Sequence, residues 1–149
     1  MNVYTDTSTI GGCFDKEFKE WSVALFEEFK VGVKFIVLSD LTLQELELAR
    51  QEVREKIFEI PTKNQITINI TDEAIHLAET YIDEGALTNK SYNDALHIAL
   101  ATLNNADVLA SWNFKHIVNL SRIKLYNSIN LNLGYSIIEI RTPREILNL

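Results

Sequence analysis

Three acidic residues and one asparagine occupy positions where a parallel α/β sheet collects its ligands. Asp6 follows a predicted strand, Glu45 and Asp94 lie near the starts of predicted helices, and Asn113 follows another strand. The carboxyl ends of parallel strands meet at one edge of the sheet, so these four side chains are predicted to converge there. Carboxylates brought together repel one another and take up protons unless a cation lies among them.

The chemistry expected at this edge is metal-assisted hydrolysis. Oxygen ligands of this kind suit Mg²⁺ or Mn²⁺, which retain several waters and bind substrate phosphates. Such an ion acidifies a bound water and offsets charge on the phosphate during attack. We therefore predict a phosphodiesterase with Asp6, Glu45 and Asp94 as catalytic residues. The same three carboxylates and Asn113 are the predicted metal ligands.

Helix capping is the competing explanation for two of the acids. The segments Thr42-Leu43-Gln44-Glu45 and Ser91-Tyr92-Asn93-Asp94 both fit a capping box, in which the acid bonds a backbone amide. The helix dipole also favours acids in a first turn. Asp6 differs, because an acid that ends an interior strand is expensive to bury unless it is paired. The combination, rather than any one acid, favours the metal site.

Other polar residues are candidates for contacts with these carboxylates or with a substrate. They are Thr7, Ser8, His97 and Ser111. His97 lies three positions after Asp94 and so shares its side of the helix. The alternative for His97 is a structural hydrogen bond in a helix interface, and for the hydroxyls it is capping of a turn. The neighbouring Trp112 either stacks on a nucleobase or packs at the strand end.

Strands and helices alternate along the chain. The predicted strands are Asn2 to Thr5, Lys34 to Ser39, Ile66 to Ile70 (a short strand or an extended loop), Val108 to Ser111, and Ser136 to Ile140. This alternation predicts a three-layer α/β/α sandwich around a parallel sheet of about five strands, with right-handed crossovers.

The connecting segments are predicted from apolar spacing and capping residues. Thr7 to Gly12 is predicted to be a loop, and a continuous helix is predicted from Thr42 to just before Pro61. Thr71 is expected to cap a helix that stops at Gly85. The segment from Ser91 to Leu103 is apolar nearly all round and should be deeply buried. Two further helices are predicted. The first contains Phe18 to Phe29, and the second precedes the last strand and ends at Gly134.

Length and composition favour one intracellular domain spanning residues 1–149. With 46% hydrophobic residues, the chain can bury a core without disulfides, and a single Cys13 cannot form an internal one. The first residues lack a basic segment followed by an apolar stretch, so no secretory signal is expected. No apolar run approaches the roughly 20 residues of a membrane span. We expect a cytoplasmic protein with no membrane contact.

The formal net charge of −7 argues against a generic nucleic-acid binder. An acidic protein can still act on nucleic acid where a metal neutralises its carboxylates and its basic residues are grouped.

Four segments of the chain resemble the motifs of PIN-domain nucleases, the group that includes toxins of bacterial toxin–antitoxin pairs. They are Tyr4-Thr5-Asp6-Thr7-Ser8, Leu38-Ser39-Asp40-Leu41-Thr42-Leu43-Gln44-Glu45-Leu46, Asn93-Asp94-Ala95-Leu96-His97-Ile98-Ala99 and Asp107-Val108-Leu109-Ala110-Ser111-Trp112-Asn113. The resemblance covers most of the chain and implies a five-stranded parallel sheet and Mg²⁺- or Mn²⁺-dependent ribonuclease activity. By position it implies metal-site roles for Asp6, Glu45, Asp94 and Asn113. It also implies homodimers, an RNA substrate and an antitoxin partner.

One position departs from the family pattern, which often has aspartate where this chain has Asn113. An amide oxygen adds no charge, so a second metal would be held more weakly. The first alternative function is therefore a PIN-like binding module with weakened catalysis. A phosphoacceptor signalling domain is less favoured, because that design requires a lysine at the last strand, which here is followed by Thr142-Pro143.

Large apolar residues are unusually frequent on two predicted helices. Phe26 falls away from the Phe18, Trp21 and Phe29 side of the first, and the helix from Thr42 carries several more. Apolar surface left over after sheet packing forms an exposed patch of the kind found at partner sites. The hypothesis is a homodimer through an apolar helical face. The alternative is that Phe26 packs beneath the loop before the second strand.

Overall fold

A parallel sheet forms the centre of the computed structural model, which describes residues 1–149. Its strands are β1 (Asn2–Thr5), β2 (Phe35–Ser39), β3 (Gln65–Ile68), β4 (Val108–Ala110) and β5 (Ile140–Arg141). All neighbouring strands pair in parallel, in the order β3-β2-β1-β4-β5. The chain builds one side of the sheet from β1 and then crosses to the other, so strand order reverses at β1.

Eight α-helices surround the sheet. They are α1 (Thr7–Gly11), α2 (Lys19–Val31), α3 (Asp40–Glu47), α4 (Gln51–Glu55), α5 (Asp72–Asp83), α6 (Tyr92–Leu103), α7 (Leu120–Asn132) and α8 (Pro143–Ile146). Short 3₁₀ helices span Gly12–Phe14, Lys56–Glu59, Thr62–Asn64 and Asn89–Ser91. None of the helices has both the length and the apolar character needed to cross a membrane.

Each face of the sheet has its own hydrophobic core. Tyr4 and Leu109 point to the face covered by α5, α6 and α7, whereas Val3 and Val108 point to the face covered mainly by α1, α2, α4 and α8. Alternation of this kind follows from the two-residue period of a strand. The predicted three-layer α/β/α architecture with five parallel strands is confirmed. The predicted cap at Thr71 is also present, since its side chain accepts a hydrogen bond from the Ala74 backbone N–H.

The predicted loop from Thr7 to Gly12 is wrong, because this segment forms α1 and the start of a 3₁₀ helix. Asp6 caps α1: its carboxylate accepts a hydrogen bond from the Thr9 backbone N–H. A run of threonine and serine has little helix preference of its own. The cap supplied by Asp6 and the burial of Ile10 stabilise the helix instead.

The continuous helix predicted from Thr42 is also wrong. The helix begins two residues earlier, at Asp40, because Ser39 is its N-cap, and it ends at Glu47. An extended residue, Arg50, separates it from α4. Apolar residues of both helices pack in the same core, so the apolar spacing continues across the break. The spacing alone therefore suggested a single helix.

Four strands are shorter than predicted. The second begins at Phe35 rather than Lys34, and the third is Gln65–Ile68 rather than Ile66 to Ile70. The fourth ends at Ala110 rather than Ser111, and the fifth consists of Ile140–Arg141 rather than Ser136 to Ile140. The fifth strand is short because β4 is its only neighbour and the two strands pair at only two positions. The segment around Ile66 does form a strand, the edge strand β3.

The proposed exposure of Phe26 is wrong. Its side chain is fully buried and meets Phe29 edge to face, with 5.5 Å between the ring centroids. The buried stripe of α2 is Ser22, Leu25, Phe26 and Phe29, one step round the helix from the predicted one. The second helical segment does expose apolar side chains, Leu48 and Phe58. The homodimer remains a prediction.

Gly12 packs too closely against its neighbours to tolerate a side chain. A Cβ atom there would lie 2.5 Å from Ser22 Oγ and 2.7 Å from Trp112 Nε1. Gly12→Ala is expected to break the hydrogen bond between those two side chains and to destabilise the fold by about 1–3 kcal/mol. Gly11→Ala is the matched control, because nothing lies within 4 Å of its Cβ position. Urea unfolding measures both; equal stability of the two variants would contradict this close packing.

Candidate active site

The predicted site residues lie at the carboxyl ends of β1, β2 and β4, where strand order reverses. Asp6 directly follows β1, Glu45 lies in the second turn of α3 after β2, and Asn113 follows β4. Asp94 lies in the first turn of α6, which packs on the face of the sheet beside them. Ligands of open α/β sheets bind at this kind of reversal.

Asp6 is a buried carboxylate, only 4% exposed, with donors on both oxygens. Oδ1 accepts hydrogen bonds from Ser8 Oγ at 2.7 Å and from the Thr9 backbone N–H at 3.0 Å. Oδ2 accepts one from Ser111 Oγ at 2.6 Å. Three donors leave part of the acceptor capacity of the carboxylate free, since an ionised carboxylate has about four lone-pair sites.

The two serine hydroxyls are themselves oriented by backbone amides. Trp112 N–H donates to Ser8 Oγ at 2.9 Å, and Asn113 N–H donates to Ser111 Oγ at 3.0 Å. Each hydroxyl therefore accepts from the backbone while donating to Asp6. Such chains of hydrogen bonds polarise one another in a low-dielectric interior. The arrangement directs two aligned dipoles at one carboxylate.

Glu45 is held through one of its two oxygens. Oε1 accepts hydrogen bonds from Thr7 Oγ1 at 2.8 Å and from His97 Nε2 at 2.7 Å. The other oxygen, Oε2, has no hydrogen bond to the protein, and the side chain is partly exposed at 28%. Glu45 therefore presents one oriented oxygen to a ligand or water.

His97 connects this carboxylate to the interior of the protein. Its Nδ1 lies 2.7 Å from the Tyr4 hydroxyl, which in turn lies 2.7 Å from Ser39 Oγ. Because ionised Glu45 can only accept, Nε2 carries a proton. Nδ1 accepts from the Tyr4 hydroxyl when the ring is neutral and donates to it when the ring is charged. A buried relay thus runs from β2 through β1 and α6 to α3.

The surroundings of Glu45 favour its ionised form. Burial raises the pKa of Glu45, but the hydrogen bond and charge of His97, the hydrogen bond from Thr7 and the nearby Asn93 amide outweigh it, so the pKa is lowered. The proposed capping box at Thr42 is wrong, because Ser39 caps the helix and accepts from the Thr42 N–H at 3.1 Å. Capping therefore does not account for Glu45.

Asp94 is in the opposite electrostatic position. Burial raises the pKa of Asp94, and the nearby charge of Asp6 adds to the effect, although His116, His97 and Asn113 lower it in part. The proposed capping box at Ser91 is wrong as well, since that side chain makes no capping bond. Desolvation and repulsion by Asp6 disfavour the charged form of Asp94, and a cation would reverse that balance.

Asn113 turns its carbonyl oxygen towards the protein. Oδ1 accepts a hydrogen bond from the His116 backbone N–H at 2.9 Å. Its amide group acts as a donor that lowers the pKa of Asp94. The side chain thus supports the turn after β4 and partly compensates the charge of Asp94.

The carboxylate oxygens at this site suit a hard cation that keeps several waters better than one bound only by protein ligands. No group of three or more His, Cys, Asp or Glu side chains is close enough to hold one ion directly. Mg²⁺ does not require such a group, because it usually keeps several waters and binds through one or two carboxylates. Asp6 and Asp94, two neighbouring acids with oxygen capacity to spare, meet that requirement.

Several residues of this network were not predicted from the sequence. Tyr4, Ser39 and Thr42 anchor the relay, and Thr42 Oγ1 also donates to the Thr5 backbone oxygen at 3.1 Å. The available signal was the presence of hydroxyl groups in otherwise apolar strands, since buried hydroxyls need partners. Thr7, Ser8, His97 and Ser111, which were predicted, all contact Asp6 or Glu45.

Comparison with sequences identifies no relative. No family model matches the chain, and no curated protein matches it significantly.

Solved structures do resemble the chain. VapC20 of Mycobacterium tuberculosis, described as a sarcin-ricin loop cleaving toxin, is 13% identical and superposes with a TM-score of 0.59 over 76% of this chain and 92% of its own. VapBC2 of Rickettsia felis, bound to a promoter DNA fragment, is 17% identical with a TM-score of 0.58 over 95% and 98%. FitAcB of Neisseria gonorrhoeae is 12% identical with a TM-score of 0.60 over 95% and 98%. The chain therefore has the fold of the PIN-domain toxins, as its motifs predicted.

Proposed function

We propose that the chain is a Mg²⁺- or Mn²⁺-dependent ribonuclease that hydrolyses RNA phosphodiester bonds. The observation that carries the proposal is the grouping of Asp6, Glu45 and Asp94 at the strand-order reversal, with hydrogen-bond donors fixing the first two. Neither Glu45 nor Asp94 serves as a helix cap, although Asp94 lies in the first turn of α6, where the helix dipole also favours an acid. The fold, shared with a toxin that cleaves the sarcin-ricin loop, supports the same chemistry.

Asp6 and Asp94 are the residues proposed to hold the cation. Asp6 is fixed by the hydroxyls of Ser8 and Ser111, whereas Asp94 has a raised pKa that cation binding would relieve. When bound, Mg²⁺ or Mn²⁺ supplies charge compensation at the phosphate and makes water more acidic. Asn113 is proposed to support this set through its amide beside Asp94. It is also proposed as a neutral ligand, through the Oδ1 lone pair that the His116 backbone N–H leaves free.

Glu45 is the proposed residue for orienting the attacking water. Its lowered pKa keeps it ionised at neutral pH, so its free oxygen can accept a hydrogen bond from water. His97 and Thr7 hold the other oxygen and fix the direction of the side chain. Positioning of this kind lowers the activation barrier, because the reacting groups lose less translational and rotational entropy in reaching the transition state.

The biological role we propose is that of the toxin in a toxin–antitoxin pair. VapBC2 of Rickettsia felis, VapBC-1 of Haemophilus influenzae and the FitAB proteins have the same fold. An antitoxin protein is the corresponding partner, and a homodimer in the cytoplasm is the proposed state of the chain. RNA is the proposed substrate, and its approach to a chain of net charge −7 requires the site cation.

One observation favours the alternative of a binding module with weakened catalysis. The three acids do not form a group close enough for direct binding of one ion, and Asn113 contributes no charge. The two functions differ in turnover: a binding module retains RNA without cutting it.

The direct test is cleavage of a labelled single-stranded RNA with Mn²⁺ and with EDTA. Wild type is expected to cut only with Mn²⁺, and Asp6→Asn to lose about 100-fold or more in rate, equivalent to ~2.7 kcal/mol of barrier. Asp83→Asn is the matched control, because this aspartate is exposed at the end of α5, on a helix that contributes no predicted site residue. RNA binding without any metal-dependent cutting would support the binding module instead.

The raised pKa of Asp94 predicts opposite effects of Asp94→Asn with and without metal. A folded-state pKa above the unfolded value gives stability at low pH that is lost as pH rises through it. Without metal, the variant should therefore match or exceed the wild-type thermal midpoint at pH 7, and the difference should shrink towards pH 4. With Mn²⁺ at about 100 times Kd, wild type should gain roughly 5–10 °C and the variant should not.

Differential scanning fluorimetry across pH and Mn²⁺ concentration measures both effects. A full Mn²⁺-induced rise in Asp94→Asn would show that this carboxylate is not a ligand.

Asn113→Asp adds a charge beside Asp94, where the amide now lowers the pKa of that carboxyl group. We expect tighter Mn²⁺ binding, because a third nearby carboxylate strengthens attraction for the cation. Without metal, the added repulsion should lower the thermal midpoint at pH 7. Isothermal titration calorimetry with Mn²⁺ measures the affinity, and weaker binding by the variant would contradict a role at the metal site.

A further inference from the structure

An aromatic pocket opens beside the proposed active site, at the carboxyl ends of β4 and β5. Its cavity is about 330 Å³, within the range of roughly 300–1,000 Å³ typical of small-ligand sites. Four aromatic side chains form most of its lining, with two polar residues from the segment after β5. They are Phe18, Trp21, Trp112, Phe114, Thr142 and Arg144.

The inner wall of the aromatic pocket is rigid. Trp112 stacks on Phe18 with 4.2 Å between ring centroids and 14° between ring planes. Its indole N–H donates to Ser22 Oγ at 2.9 Å, and that hydroxyl donates to the Thr9 backbone oxygen at 2.8 Å. The absence of a side chain at Gly12 leaves the space that Trp112 occupies. The ring orientation is therefore set before any ligand arrives.

The outer wall is exposed to solvent. Phe114 is 52% exposed, although it lies near Trp112 and Phe18 at 6.2 Å between ring centroids in each case. A half-exposed aromatic ring beside a fixed aromatic wall leaves a surface on which another flat ring can stack. Bases stack on aromatic side chains in this way in proteins that bind single strands.

Arg144 adds a positive charge at the rim of the pocket. Its guanidinium carbon lies 5.0 Å from the centroid of the Trp21 ring. No carboxylate forms an ion pair with it, whereas its neighbour Arg141 is paired with Glu139 and Glu145. An exposed acid, Glu17, also lines the pocket but makes no salt bridge with Arg144. The guanidinium therefore remains available to a phosphate, for which its planar donors are suited.

The aromatic pocket is linked to the carboxylate site through the segment that follows β4. Trp112 follows Ser111, which bonds Asp6, and the Trp112 backbone N–H donates to Ser8 Oγ, which also bonds Asp6. Two hydrogen bonds thus connect the aromatic wall to the buried carboxylate.

We propose that the aromatic pocket binds a nucleobase of the RNA strand, next to the phosphate that is cleaved. The base stacks on the exposed face of Phe114, and Arg144 binds the phosphate attached to that nucleotide. This inference rests on the proposed ribonuclease function and adds to it the subsite that selects single-stranded RNA. A base must leave its helical stack to enter such a pocket, so a paired strand is excluded.

Tryptophan fluorescence reports this pocket alone, because the two tryptophans of the chain, Trp21 and Trp112, both line it. Titration with 5′-AMP and 5′-UMP in EDTA, where no metal-dependent cutting occurs, is expected to give saturable quenching. Ribose 5-phosphate, which lacks the base, should bind at least about tenfold more weakly. Equal effects of ribose 5-phosphate and AMP would overturn the stacking, and an absence of nucleotide quenching would overturn the subsite.

Two variants test the named residues. Phe114→Ala is expected to weaken AMP binding about tenfold and Arg144→Gln about fivefold, with thermal midpoints near that of wild type because both side chains are exposed. Phe58→Ala is the matched control, an exposed phenylalanine that does not line the pocket. Unchanged AMP binding in both pocket variants would overturn the proposal.

The RNA cleavage assay separates this inference from the function on which it rests. If wild type cuts RNA with Mn²⁺ but Phe114→Ala cuts and binds equally well, the subsite is wrong and the ribonuclease stands. If wild type binds AMP in the pocket but never cuts RNA, the ribonuclease is wrong, and so is the subsite as a cleavage element. The expected result is RNA cleavage whose KM rises in Phe114→Ala with little change in kcat, since the residue acts in binding.

Discussion

Burial of one carboxylate, Asp6, at the end of the central strand constrains much of the structure around it. Because an ionised acid is costly to bury without partners, donors must reach it from several segments. The start of α1 supplies the Ser8 hydroxyl and the Thr9 backbone N–H, and Ser111, which directly follows β4, supplies its hydroxyl. The same hydroxyls accept from the backbone of the Trp112 segment, so they fix the aromatic pocket as well. A single buried charge thus links the cap of a short helix, the end of a neighbouring strand and the wall of a pocket.

A second polar network ties the two faces of the sheet together. Tyr4 and the α6 helix belong to one core, whereas most of the helical segment that carries Glu45 covers the other. His97 bridges them by contacting Tyr4 with one ring nitrogen and Glu45 with the other. Removing one member of such a network leaves buried polar atoms without partners, which costs more than the lost bond. The relay therefore gives the carboxyl edge of the sheet a defined geometry that apolar packing alone does not provide.

The two networks create different environments for neighbouring acids. Burial raises the pKa of Glu45, but His97 and its other donors outweigh that effect and lower it, whereas burial and the charge of Asp6 raise the pKa of Asp94. When the pKa values of two neighbouring carboxyl groups move apart, the group with the lower pKa stays ionised and accepts hydrogen bonds. The group with the higher pKa is ionised more readily when a positive charge lies nearby. In the proposed ribonuclease, that positive charge would also offset the repulsion between a phosphate and a chain of net charge −7. Arg144, which lacks an acidic partner, extends the favourable region towards the aromatic pocket.

The order of strands, helices and acidic residues along the chain was enough to predict the layered fold, because apolar spacing and strand length are local properties. Sequence also identified Thr7, Ser8, His97 and Ser111 as neighbours of the acids, since each stands beside one in the predicted topology. It did not predict α1 or the break between α3 and α4, because side-chain caps and core packing outweigh intrinsic preference there. Nor did it predict the contacts of Tyr4, or that Asn113 bonds inward. Those depend on distances between residues far apart in the chain, which only tertiary packing determines.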